Sequence, residues 1–106
     1  MRFLMTTRPG GAADDRLYTE MAAFVEELTA SGVLLATGGL EPGGLRVTSA
    51  GGEITVTDGP FTEAREVVAG FALVEVRSRE EALEITRRFR RIVGDGESVV
   101  QQVFGP

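Results

Sequence analysis

The segment Gly70 to Arg77 constrains this chain more than any other. Phe71 and Leu73 fall on one side of an extended strand, and Ala72, Val74 and Val76 fall on the other. Both sides are apolar, so a strand here must be covered on both. Ser78-Arg79-Glu80-Glu81 follows with the spacing of a capping box. It opens a helix whose buried stripe is Ala82, Ile85, Phe89 and Ile92, with Gly94 as its stop. One face of the strand is thus covered by its own downstream helix, and the cover for the other face must come from elsewhere.

A helix is also predicted from about Asp14 to Ser31, where Leu17, Met21, Phe24, Val25 and Leu28 form one apolar stripe. Asp14 or Asp15 is placed to cap its start and Gly32 to end it. Met1 to Thr7 reads as a short strand, with Phe3 and Met5 on one face and Arg2, Leu4 and Thr6 on the other. Arg8-Pro9-Gly10-Gly11 breaks it. Val33 to Thr37 begins a further strand, which Gly38-Gly39 interrupts. Leu45 to Ser49 and Glu53 to Asp58 alternate apolar and polar residues around Ser49-Ala50-Gly51-Gly52, the pattern of a β-hairpin. Asp58-Gly59-Pro60-Phe61 reads as a turn, followed by a helical turn from Thr62 to Val67, and Glu97 to Phe104 reads as a last strand. This order predicts one α+β domain spanning 1–106: a ferredoxin-like split βαβ sheet with an added β-hairpin. Two helices cover one face of such a sheet. The face carrying Phe71 and Leu73 is left to a second copy, so a homodimer is expected.

Composition closes many functional classes. The chain has no His, no Cys and no Trp, and every one of its 11 basic residues is Arg. A thiol nucleophile, a thiolate or Cys/His zinc site, a disulfide and a serine–histidine triad are excluded, and no imidazole is available as a base near neutral pH. The net charge of −5 disfavours non-specific phosphate binding, so no nucleic-acid partner is expected. The longest apolar run, near Val33-Leu34-Leu35-Ala36, is far short of the ~18 residues of a membrane span. Met1-Arg2-Phe3-Leu4-Met5-Thr6-Thr7 is too short and too early-broken for a signal peptide. A cytoplasmic protein with no membrane partner is the resulting expectation.

Few residues remain as candidates for chemistry. Asp58 stands at a strand end. It serves either as a turn residue accepting backbone N–H bonds, or as a carboxylate aimed into a cleft and able to act as general acid or base. Arg87, Arg88, Arg90 and Arg91 crowd one helix, where Glu84 is spaced to pair with Arg87 and Arg88, which describes a solvated, salt-bridged face. The carboxylates of Asp14-Asp15, Glu26-Glu27 and Glu80-Glu81-Glu84 lack the spacing of a calcium loop and suit helix starts, so no metal is expected. The Gly-Gly pairs at 38–39, 43–44 and 51–52 match neither a dinucleotide fingerprint nor a Walker A loop. Gln101 and Gln102 interrupt the last strand. One of them faces either solvent or a dimer cavity beside Thr6, Glu75 or Asp58.

The stretch Val56-Thr57-Asp58-Gly59-Pro60-Phe61-Thr62-Glu63-Ala64-Arg65-Glu66 resembles the Asp-Gly-Pro-Phe signature of the DGPF branch of the YCII-related proteins. The strand-like Arg2-Phe3-Leu4-Met5, the apolar stretch from Gly32 to Leu40, the hairpin and Gly70-Phe71 before a capped helix fall in that family's order, so the resemblance covers nearly the whole chain. It implies a ferredoxin-like fold pairing as a dimeric α+β barrel and a functional link to extracytoplasmic-function sigma factors; no cofactor is expected for this chain. The resemblance also implies a His–Asp pair in a cleft, and this chain has no His to complete one.

Two functions follow as expectations. One is a small-molecule-binding or regulatory accessory protein with a cleft near the Asp58 turn, taking a small anionic or polar ligand. The other is a cofactor-free, lyase- or isomerase-like enzyme in which Asp58 is the acid–base group. In the enzyme reading Arg8 or Arg65 is the bidentate donor for an anionic group, and Thr6 and Gln101 are further substrate-binding candidates.

Overall fold

The computed structural model describes residues 1–8, 14–41, 43–59 and 69–105. Strand β1 (Arg2–Thr7) leads to helix α1 (Asp15–Ala30) and strand β2 (Leu34–Gly39). A hairpin of β3 (Leu45–Ala50) and β4 (Glu53–Asp58) follows, and then β5 (Gly70–Glu75), α2 (Arg79–Val93) and β6 (Ser98–Val103). The main sheet has the order β2-β5-β1-β6, with every neighbouring pair antiparallel. Strands β1 and β2 are therefore parallel to each other with β5 between them, and β5 and β6 are parallel with β1 between them. This interleaving is the split βαβ arrangement of a ferredoxin-like sheet.

Local sequence explains the helices. Asp14 is extended and accepts the Leu17 N–H at 2.8 Å, capping α1. Ser78 accepts the Glu81 N–H at 3.1 Å and caps α2. The Glu81 side chain turns back to the Arg77 N–H, at 3.3 Å, one residue before the cap where a capping box would place it. Gly94, with φ of 82°, ends α2 in a conformation that side chains resist.

Both helices lie on one face of the sheet. Phe3, Val74 and Val76 pack there against Phe24 and Leu28 of α1 and against Ala82 and Ile85 of α2. Phe3 is completely buried at the centre of this cluster. The opposite face carries Leu4 and Thr6 of β1, Phe71 and Leu73 of β5, and Val99, Gln101 and Val103 of β6, as the strand registers require. No helix covers it.

Strand β2 runs through Gly38 and Gly39, where the sequence suggested an interruption. Two contacts carry it through. The Phe71 ring lies over Gly38, where an added Cβ would come within 3.3 Å of it, and the Thr37 hydroxyl donates to the Phe71 carbonyl at 2.9 Å. A register shift between Leu34 and Ala36 marks a bulge in this edge strand.

The hairpin forms a sheet of its own. Its base is closed by the Gly59 N–H donating to the Gly44 carbonyl at 2.8 Å. All twelve of its strand residues are exposed. The molecule measures 46 × 37 × 19 Å, with a radius of gyration of 16.0 Å, against about 13 Å for a compact chain of this size. The hairpin thus projects as an arm. The helical turn expected from Thr62 to Val67 lies outside the described residues.

Candidate functional site

A concavity lies between α1, α2 and the helix-covered face of the sheet. It encloses about 180 Å³. Met21, Phe24 and Leu28 of α1 line one wall, Phe89 of α2 another, and Met5 and Ala72 form the floor. The apolar stripes that build the core also build these walls. Methionines on wall and floor give a surface that adapts to an occupant.

Two hydroxyl residues, Thr7 and Thr37, interrupt this apolar lining. Thr7 belongs to the same face of β1 as Phe3 and Met5. Its Oγ1 lies 2.8 Å from the Ser98 hydroxyl, which accepts from an Arg90 guanidinium nitrogen at 3.2 Å. Arg90 also donates to the Gly94 carbonyl at 2.7 Å. A short polar chain therefore runs from a cation on α2 through Ser98 to a hydroxyl at the cleft.

The residues nominated from sequence lie elsewhere. Asp58 ends β4, is exposed, and sits on the same face of the arm as Leu45, Val47, Ile54 and Val56. Arg8 is paired on the surface with Glu97, whose Oε2 is 3.4 Å from its guanidinium. Thr6 and Gln101 share the helix-free face of the sheet. Thr6 stands opposite Phe71 and Val99, and Gln101 opposite Leu4. Of the two glutamines, Gln101 is therefore the one that turns to this face. Arg65 lies outside the described residues. None of Asp58, Arg8, Thr6 and Gln101 lines the cleft. The residues that do, Thr7 and Thr37, carried one readable sign: Thr7 is a polar residue on the buried face of β1.

The arginine-rich face of α2 is a network of ion pairs. Arg87 and Arg91 approach Glu84 at 3.4 and 3.7 Å. Arg88, expected to share Glu84, instead reaches across to Glu27 of α1. Among the described residues no group of three or more His, Cys, Asp or Glu could hold a metal ion, and no helix is long and apolar enough to cross a membrane.

The fold and its helix-covered cleft define a ferredoxin-like α+β protein. The chain belongs to the family of proteins with a YCII-related domain, whose model matches residues 1–102. It is 33% identical over 76 residues to an uncharacterised protein, R00369, of Rhizobium meliloti (strain 1021), a match covering 70% of this chain and 61% of that protein. The chain thus spans about three fifths of that relative's length. Among solved structures it resembles 5-chloro-2-hydroxyhydroquinone dehydrochlorinase (TftG) from Burkholderia phenoliruptrix AC1100, solved in complex with 2,5-dihydroxybenzoquinone. The TM-score is 0.56 at 16% identity, covering 100% of this chain and 96% of that one, a likeness of fold.

Proposed function

We propose that this protein binds a small, largely apolar molecule of single-ring size in the cleft between α1 and the sheet. The observation that carries the reading is a cavity of about 180 Å³ walled by Met21, Phe24, Leu28 and Phe89, with hydroxyls at Thr7 and Thr37. Benzene fits an apolar cavity of roughly 150 Å³, so one ring is the right scale. The hydroxyls suit a ring bearing oxygen substituents, and each such bond contributes on the order of 1 kcal/mol. The apolar lining favours such a ring over the anionic ligand that Arg8 and Arg65 suggested. An accessory, ligand-sensing role needs nothing more of the site.

Calorimetric titration with hydroquinone and with toluene tests this. Both are expected to bind saturably. Thr7→Val is expected to weaken hydroquinone up to about tenfold, one net hydrogen bond, and to leave toluene unchanged. Failure of both probes to bind would remove the reading.

A catalytic reading is supported by the fold neighbour, a dehydrochlorinase solved in complex with a single-ring quinone. Asp58 would then be the acid–base group, and it would have to reach the cleft from another copy of the chain, since within one chain it lies on the arm. Turnover of a ring substrate lost in Asp58→Asn, with binding retained, would support this reading.

A further inference from the structure

We infer that the cleft is polarised, with Thr7 as a hydrogen-bond donor and Thr37 as an acceptor, so that it selects a ring carrying a carbonyl at one end and a hydroxyl at the other, held in one orientation. The inference rests on the cleft as a ring-binding site and adds which rings it prefers.

The main chain sets the Thr37 end. The Thr37 hydroxyl donates to the Phe71 carbonyl at 2.9 Å. A carbonyl oxygen can only accept, so the one hydroxyl proton of Thr37 is spent there. What Thr37 offers an occupant is a lone pair.

A cation sets the Thr7 end. A guanidinium has donors and no acceptor, so Ser98 Oγ accepts from Arg90. An oxygen that accepts from a cation becomes a stronger donor in turn. Across their 2.8 Å contact Ser98 therefore donates and Thr7 Oγ1 accepts. The Thr7 proton is not spent on Ser98 and is left for the cleft. Arg90 is itself held in place. It donates to the Gly94 carbonyl, and a Cβ at Gly96 would collide with its guanidinium. Arg90 does not line the cleft. It is a positioning residue, which fixes the direction of a hydrogen bond made by Thr7.

The spacing of the two threonines suits one ring. Thr7 stands opposite Gly70 and Thr37 opposite Ala72, with β5 between their strands. They are thus two strands and two residues apart, a separation of about 12 Å from ordinary strand spacing and rise. A hydrogen bond of about 2.8 Å at each end leaves roughly 6 Å between the bonding atoms of the occupant, the span of two para oxygens on one ring. A carbonyl at the Thr7 end and a hydroxyl at the Thr37 end satisfy both threonines at once. The reverse orientation would set the carbonyl against a lone pair.

Calorimetry with three probes tests this, in mildly acidic buffer where the phenol keeps its proton. Toluene is the reference, para-tolualdehyde adds the carbonyl, and para-hydroxybenzaldehyde adds the opposite hydroxyl. Each step is expected to tighten binding up to about tenfold, one net hydrogen bond. Thr37→Val is expected to abolish the hydroxyl step alone. Arg90→Met lets the Thr7 proton turn to Ser98, and is expected to lower the carbonyl step severalfold while the hydroxyl step and the circular dichroism are kept. Ser98→Ala breaks the same chain at its middle and is expected to lower the same step, which covers the case of a misfolded Arg90→Met. If no probe binds the wild type, the ring-binding reading falls and this inference with it. If all three bind equally, the inference alone falls. A folded Arg90→Met that keeps the carbonyl step, or loses both steps alike, would also overturn it.

Discussion

Arg88 holds Glu27 through both arms of its guanidinium, at 2.7 and 2.9 Å, and so fastens α2 to α1. The same guanidinium lies 4.8 Å over the Phe24 ring, at the edge of the helix core. The hydrogen bonds from Arg88 hold the Glu27 carboxyl below its usual range, against a smaller opposing effect of burial. A carboxyl depressed in the folded state contributes stability above its unfolded value and loses it as pH falls through the folded value. Glu27→Gln should therefore be less stable than wild type at pH 7, with the gap closing below about pH 4. Urea denaturation across that range measures it. A gap that persists in acid would mean that the contact is not ionic.

Phe3 has no exposed surface and contacts both helices' core residues. Phe3→Ala should cost about 3–5 kcal/mol, through lost burial and a cavity that the rigid centre of the sheet cannot collapse. For a domain with a total of roughly 5–15 kcal/mol this is a severe loss. The midpoint of chemical denaturation reads it directly.

Gly59 sits at the base of the arm. A Cβ there would meet the Gly43 Cα and the Gly44 carbonyl at 3.0 Å, both backbone atoms that cannot step aside cheaply. Gly59→Ala should strain this closure by about 1–3 kcal/mol. Amide exchange is expected to accelerate at Gly59 and through β3 and β4, with β1, β5 and β6 unchanged. Uniform acceleration would contradict the separation of arm and main sheet.

Asp58 is exposed and supports no core contact. Asp58→Asn should alter stability by no more than about 0.5 kcal/mol. Thermal denaturation checks this. A larger loss would assign the carboxylate to holding the turn and would leave it unsuited to acid–base work.

Most of the fold could be read from local signals. The α1 stripe from Leu17 to Leu28 and the caps at Asp14, Ser78 and Gly94 are short-range features, and each stands where its spacing put it. The continuation of β2 through Gly38 and Gly39 was not readable, because it rests on the Phe71 ring from a strand more than thirty residues away in sequence. The site was harder still. Its walls come from α1, α2, β1 and β5, so no single segment carries its signature. Asp58, the residue with the plainest local motif, belongs to an element whose packing within one chain says nothing of where that carboxylate finally points.

The irregularity between Leu34 and Ala36 decides what the cleft contains. Side chains alternate along a strand, so one extra residue reverses the facing of everything beyond it. With the bulge, Thr37 stands opposite Ala72, on the cleft side, and Gly38 opposite Phe71. Were Leu35 instead paired with Leu73 and the ladder continuous, Thr37 would fall opposite Phe71 with its hydroxyl turned out of the cleft, and Gly38 would replace it. One inserted residue at the sheet's edge thus works as a selector, placing a hydrogen-bonding group inside the cavity and a bare backbone under the aromatic ring.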